Sequence, residues 1–336
     1  MSLVIPDTFE AFRIYNDEEG FRANWENQSI EDQTAGDVVV QVHYSSVNYK
    51  DALAGMNQGK ILRRFPLNGG IDMAGYVVAS ENPEFQVGDS VLMTGSGLSE
   101  THDGGYSEYL RVSSEALISL PSQLSLQEAM IIGTAGFTAA LALHRMETNG
   151  QSRDMGPIAI SGASGGVGSL AINIFSKAGY QVSAISGKTT AFAWLRELGA
   201  SQCIDTSGLH WSQTPLSRTQ FAGALDNVGG DMLAGLTRVV GPWGNIASCG
   251  MAADMGLRTT VMPFIIRGVS LLGINSAACP TPLRREIWEK LATCWRPTEL
   301  GKIHTKTISK SELTDAFSSL LSATNTGRIL VDLNAS

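Results

Sequence analysis

Residues 157–188 read PIAISGASGGVGSLAINIFSKAGYQVSAISGK. A short apolar run, Ile158-Ala159-Ile160, leads into the glycine turn Gly162-Ala163-Ser164-Gly165-Gly166-Val167-Gly168. Beyond it, Val167, Leu170, Ala171, Ile174 and Phe175 recur at helical spacing, and Gln181-Val182-Ser183-Ala184-Ile185 reads as a second strand. Strand, glycine turn and helix in that order build a site for a pyrophosphate. The glycines let backbone N–H groups approach it, and the positive end of the helix dipole points at the same charge. Ser164, Gly165, Gly166 and Val167 are therefore expected to hold a dinucleotide.

Which dinucleotide is decided at the end of the second strand. Binders of NAD place Asp or Glu about 20 residues beyond the glycines, where it accepts from the ribose 2′-OH. Here the strand ends in Ser186-Gly187-Lys188-Thr189, with no carboxylate to repel a 2′-phosphate. Ser186 can hydrogen-bond such a phosphate and Lys188 can neutralise it, so NADP(H) is the expected cofactor.

Outward from this stretch the pattern continues as strands alternating with helices. Strands are expected at 157–161, 181–186, 202–204, 222–226, 244–248 and 269–273, and helices at 167–178, 189–198, 230–239 and 282–294. That alternation gives an α/β fold, a doubly wound parallel sheet of the Rossmann type. Ser125-Leu126-Gln127-Glu128 is a capping box opening a buried helix through Met130 to Leu143. The earlier chain is β-rich, with strands at 37–44 and 75–80, a turn and strand over 85–93, and a strand over 104–112. Short strands with glycine turns imply a compact barrel-like β domain. The tail adds a strand at 303–308, a helix capped by Ser311 and reaching about Ala323, and a strand at 328–333, expected to rejoin the β domain.

Composition bounds the possibilities. A chain of 336 residues exceeds one ordinary core, so two domains are expected. The net charge of −8 argues against a general binder of nucleic acid or anionic membrane. Cys203, Cys249, Cys279 and Cys294 are scattered with no CxxC pair, so neither a disulfide framework nor a four-cysteine zinc lobe is suggested. The start, MSLVIPDTFEAFRI, lacks a basic region before an apolar one, and a cytoplasmic protein is expected.

Several segments in fixed order resemble the medium-chain dehydrogenase/reductase superfamily, in its zinc-independent, quinone-oxidoreductase-like branch, with the acrylyl-CoA reductase group the nearest match. They are Ser45 to Leu53 (SSVNYKDAL), Gly70 to Gly75 (GIDMAG), Ile131 to Ala139 (IIGTAGFTA), the glycine turn, Thr260 to Ile265 (TVMPFI), Gly273 to Ser276 (GINS) and Gly327-Arg328. The resemblance implies a GroES-like β-barrel catalytic domain over residues 1–128, completed by 299–336, and a Rossmann domain over 129–298, with the cofactor in the cleft. Zinc enzymes of the superfamily place a Cys three residues before an Asp, and a Gly-His-Glu further on. Here Asn48 precedes Asp51, and Ile71-Asp72 replaces the His-Glu pair, so no metal is expected. The histidines at 43, 102, 144, 210 and 304 show no i,i+4 pairing and read as surface or packing residues.

Without a Lewis acid, reducing an activated C=C bond or a quinone is easier than oxidising an alcohol. The resemblance implies NADPH-dependent reduction of acrylyl-CoA to propionyl-CoA. NADPH:quinone or general enone reduction is the alternative, and a non-catalytic NADP(H)-binding protein is a third reading. Tyr49 and Asn48 are expected to border the nicotinamide and the reacting carbon, with Asp51 orienting their loop. Asn227 follows a strand at the sheet edge where ligands bind, and Cys249-Gly250-Met251 ends another. Cys249 has no histidine near it in sequence and is expected to offer backbone only. Phe264, Ile265, Ile274, Asn275 and Ser276 would wall the nicotinamide by resemblance, and Arg328 would anchor the cofactor. Lys60, Arg63 and Arg64 form a tight basic cluster suited to the phosphates of a CoA substrate. The apolar strand 269–273 is the expected edge for a homodimer.

Overall fold

In the computed structural model, which describes residues 5–209, 211 and 214–335, sixteen strands and nine α-helices are assigned. Residues 1–4 and His210, both used in the sequence reading, lie outside the described residues. The chain opens with a hairpin, β1 (Phe9–Asp17) and β2 (Gly20–Gln28), paired in register from Phe9–Gln28 to Asp17–Gly20. Next come β3 (Val38–Ser46), α1 (Tyr49–Gly55), β4 (Leu67–Asn68), β5 (Asp72–Ser80), β6 (Ser90–Thr94), β7 (Tyr109–Val112) and β8 (Ile118–Ser119). α2 (Leu126–Thr148) leads to β9 (Ile158–Ile160), α3 (Gly166–Lys177), β10 (Val182–Ser186), α4 (Phe192–Glu197) and β11 (Gln202–Asp205). β12 (Gly223–Asp226), α5 (Gly230–Val239), β13 (Asn245–Ser248), α6 (Met262–Arg267) and β14 (Ser270–Gly273) follow. The chain ends with α7 (Thr281–Ala292), α8 (Leu300–Ile303), β15 (His304–Ile308), α9 (Leu313–Leu321) and β16 (Arg328–Asp332).

Two compact units result. One comprises Met1–Thr134, Ala277–Trp288 and His304–Ser336, and the other Ala135–Ser276 with Glu289–Ile303. Residues 277–288 group with the first unit because Arg284, fully buried, donates to the Thr94 carbonyl at 2.6 Å and to Ala277 O at 3.1 Å.

The second unit is built on a six-stranded sheet in the order β11-β10-β9-β12-β13-β14, every pair parallel. Successive strands are laid to one side of β9 and then, from β12, to the other. The order therefore reverses between β9 and β12, which is the switch point where open α/β sheets bind ligands. β9 is an unbroken apolar run with no exposed residue, as burial on both faces of a parallel sheet requires. One cluster of this unit's core joins Ala159, Ile185, Ala224, Leu233, Leu236 and Ile246.

The first unit pairs a seven-stranded sheet, β15-β16-β3-β5-β6-β8 with β7 on β3, with a three-stranded sheet, β2-β1-β4. The tail does rejoin the β-rich unit. Its packed centre includes Phe12, Tyr106 and Phe317, whose rings meet at 5.9–6.3 Å.

Some local expectations are corrected. Ser125 and Glu128 do form the capping box of α2, with reciprocal bonds of 2.9 and 3.1 Å, but α2 is broken at Gly133 (φ 48°, ψ −159°). It is long and apolar enough to cross a membrane, yet 83% of its apolar window is buried inside the protein. Strand 104–112 shrinks to β7, because Gly104, Gly105 and Tyr106 give their N–H groups to Asn68, Gly70 and Gly69 rather than to a ladder. The tail helix α9 starts after Glu312 with no side-chain cap, and Ser311 does not cap it. The capping box of this segment, in which Ser309 N–H donates to Glu312 at 3.0 Å, belongs to the short 3-10 turn Lys310–Glu312 that leads into the helix.

Candidate functional site

The dinucleotide turn lies at the C-terminal end of β9. Gly162 adopts a left-handed φ of 58°, and a Cβ on Gly168 would stand 2.3 Å from the Gly162 carbonyl, so α3 can begin this close to the strand only with glycine there. The N-cap of α3 is Gly165, which leaves the first turn without a side-chain cap and its N–H groups aimed outward. Beside it the hydroxyls of Ser164, in the glycine turn after β9, and Ser186, the last residue of β10, are 3.1 Å apart. Lys188 gives its backbone N–H to Ser186 Oγ at 3.1 Å, and partial burial holds its ammonium pKa below the usual lysine value. Gly187 is exposed between them. Three residues placed by sequence at the 2′-phosphate thus cluster at one sheet edge.

Across the switch point, Asp226 ends β12 without solvent exposure. It accepts from Ser161 Oγ (2.6 Å), Gly229 N (2.8 Å) and Val228 N (3.3 Å), and burial raises its pKa. Asn227 reaches back to β9, donating from Nδ2 to Ser161 O at 2.7 Å. Cys249 donates through Sγ to Asn227 Oδ1 at 3.1 Å, and burial with the Asp226 charge pushes its thiol to about 12. A thiol so poorly ionised does not act as a nucleophile. Gly250 N bonds Asp226 O at 3.3 Å, so β9, β12 and β13 are knitted at their carboxyl ends. Met251 and Ile265 project outward at 66% and 73% exposure, and Asn275 is exposed. Phe264 is half-buried against the core, Ile274 is buried, and Ser276 accepts from Thr138 Oγ1 at 2.7 Å.

In the first unit the sequence candidates gather around a buried polar knot. Asn48 is the N-cap of α1 and is 8% exposed. Its Nδ2 donates to Asp51 Oδ2 at 3.0 Å and to Asp72 Oδ2 at 2.9 Å, and its Oδ1 accepts from Arg328 Nη1 at 3.0 Å. Asp51 also receives the N–H groups of Asn48 and Ile71, both at 2.9 Å. Burial and the neighbouring Asp72 charge push its carboxyl up to about 7. Asp51 thus closes the capping box at the start of α1 with Asn48. Tyr49, next in the chain, is 44% exposed.

Two expectations change here. Asn48 was placed at the reacting carbon, but both of its amide hydrogens are engaged by carboxylates, so it has no donor left for a substrate. Arg328 was placed on the cofactor, yet it is 2% exposed. Its guanidinium donates to Ile131 O (2.9 Å), Val47 O (3.3 Å) and Asn48 Oδ1, with Asp72 at 3.9 Å. Lys60, Arg63 and Arg64 are all exposed on the loop after α1, where Arg63 N bonds Glu100 O at 2.7 Å.

The centre of the knot, Asp72, was given no role by the sequence reading, and neither were its partners Ser46 and Thr134. It accepts from Ser46 Oγ (2.6 Å), Thr134 N (2.9 Å) and Thr134 Oγ1 (2.5 Å) besides Asn48. A glycine followed by threonine inside the apolar run Ile131 to Ala139 was the available signal. Among the described residues no group of three or more His, Cys, Asp or Glu is arranged to hold a metal ion.

A parallel sheet of this order with a glycine turn at its switch point, in a chain that also carries a β-rich unit, is the arrangement of a dinucleotide-binding protein. Residues 34–122 match the alcohol dehydrogenase GroES-like domain, and residues 166–293 match the family described as zinc-binding dehydrogenase. The chain is 41% identical over 326 residues to the "Putative quinone oxidoreductase YhfP" of Bacillus subtilis (strain 168), covering 97% of this chain and 99% of that protein. The crystal structure of Bacillus subtilis yhfP with NAD bound aligns at a TM-score of 0.94 and 40% identity, over 98% of this chain and 100% of that one. The "Probable acrylyl-CoA reductase AcuI" of Escherichia coli (strain K12) is 43% identical, covering 89% of this chain and 92% of that protein. The yhdH oxidoreductase from Salmonella enterica, in complex with NADP, aligns at a TM-score of 0.92 and 40% identity, over 97% and 100% of the two chains. The chain belongs to the medium-chain dehydrogenase/reductase family.

Proposed function

We propose that this protein uses NADPH to reduce the activated C=C bond of acrylyl-CoA to propionyl-CoA, with NADPH:quinone or general enone reduction as the alternative. The observation that carries the reading is the edge at β9 and β10. An uncapped helix start, two facing hydroxyls and a partly buried lysine stand there, with no carboxylate at the end of β10. Ser164, Gly165, Gly166 and Val167 fit a pyrophosphate, and Ser186, Gly187 and Lys188 fit a 2′-phosphate. The backbones of Asn227, Cys249, Gly250 and Met251 complete the platform, and Phe264, Ile265, Ile274, Asn275 and Ser276 are assigned to the nicotinamide. When bound, the reduced nicotinamide supplies a hydride to the β-carbon of the substrate.

The chain's own task is to orient the thioester, to meet the negative charge that grows on its oxygen, and to exclude water. Tyr49 carries the phenol left free for that oxygen, since Asn48 is saturated. Lys60, Arg63 and Arg64, exposed on the loop after α1, are assigned to the CoA phosphates. β14 ends the sheet on its side, with Leu271 38% exposed, and supports pairing with a second copy.

Steady-state assays with NADPH and NADH against acrylyl-CoA, crotonyl-CoA and a benzoquinone test the reading. The expected result is the highest kcat/KM for NADPH with acrylyl-CoA. Faster turnover of the quinone favours the alternative, and no turnover with any acceptor rejects both.

A further inference from the structure

We propose that Arg328, Asp72 and Thr134 are positioning residues for Tyr49, acting through the carboxamide of Asn48. The inference rests on the role given to Tyr49 above and adds the machinery that places it. The Asn48 side chain has one electrostatically acceptable orientation. Its oxygen faces Arg328, which can only donate, and its nitrogen faces Asp51 and Asp72, which accept. Rotated by half a turn, it would set oxygen against carboxylates and amide hydrogens against a guanidinium.

The preceding residue is held from the same side. Val47 O accepts from Arg328 Nη1 at 3.3 Å, and Val47 N donates to Ile329 O at 3.0 Å. Two consecutive residues are thus pinned by β16 before the chain reaches Tyr49, the first residue of α1. Asp72 is itself gripped by Thr134 through two bonds, possible only because residue 133 is glycine. A Cβ there would lie 2.6 Å from Asp72 Oδ2, and its φ is +48°. The guanidinium meanwhile seizes Ile131 O on the same segment. Tyr49 is exposed, but the backbone that delivers it into α1 is held from behind, so the point from which its side chain leaves the helix is set in advance.

A double-mutant cycle on kcat with NADPH and acrylyl-CoA tests this. Tyr49→Phe is expected to lower kcat by at least about tenfold. Arg328→Lys keeps the charge but loses the planar fork. It is expected to lower kcat about tenfold while KM for NADPH stays within about twofold. In the Tyr49→Phe background, Arg328→Lys is expected to cost less than about threefold, because its effect runs through the missing hydroxyl. Thr134→Val, which removes one hydroxyl from Asp72, serves in the same cycle should Arg328→Lys fail to fold. An equal loss of kcat from these variants in both backgrounds overturns the positioning role and leaves the Tyr49 reading standing. Full activity of Tyr49→Phe overturns both.

Discussion

Asp72 and Asp226 are both without solvent exposure, and each accepts hydroxyl and backbone N–H donors at the end of a strand. They differ in charge environment. Asp72 has a guanidinium 3.9 Å away and a second carboxylate sharing its asparagine, whereas the donors to Asp226 are Ser161, Val228 and Gly229, all neutral. In the first unit a carboxylate and an arginine lock each other and every side chain between them, and the knot faces inward. In the second unit a carboxylate folds a loop around itself, so that the sheet edge beside it stays open for a ligand. One buried group therefore fixes a side chain, while the other shapes a surface.

Removing each charge while keeping its shape separates the two uses. Asp72→Asn leaves Arg328 buried with carbonyl partners and is expected to cost about 3–5 kcal/mol in denaturant unfolding. Asp226→Asn strands only neutral donors and is expected to cost about 1 kcal/mol. Equal costs would break the comparison.

A smaller effect sharpens it. The folded Asp51 carboxyl, at about 7, stands above the ordinary aspartate value of about 3.9, so the folded chain holds this proton more tightly. The stabilisation is complete below about pH 4 and is lost as the pH rises through about 7. Asp51→Asn removes that dependence. Its Tm should therefore gain on the wild type between pH 4 and pH 8, and parallel Tm profiles would place Asp51 outside the knot's electrostatics.

The second unit was the more legible in sequence. Its strands carry continuous apolar runs and its turn carries glycines at fixed offsets, so β9, α3 and β10 fall within a residue or two of the reading. The opening hairpin β1–β2 was not read at all. Residues such as Asn24, Glu26 and Asn27 leave its second strand without clean alternation, and pairing with β1 supplies what local pattern lacks. The polar knot was half legible. Asn48 and Asp51 lie three residues apart, a spacing visible in one dimension. Arg328 meets Asn48 across 280 positions and Asp72 meets Thr134 across 62, and no local pattern reports such pairs. Arg328 was accordingly given to the cofactor on the resemblance alone, since its partners Asn48 and Ile131 lie far off in the sequence.

The proposed chemistry makes one claim about where atoms go. Deuterium carried at the transferable C4 position of NADPH should be recovered on the β-carbon of propionyl-CoA made from acrylyl-CoA, with a solvent-derived hydrogen on the α-carbon. Product whose β-carbon carries no label, or a cofactor that keeps its deuterium while acrylyl-CoA is consumed, would contradict the account.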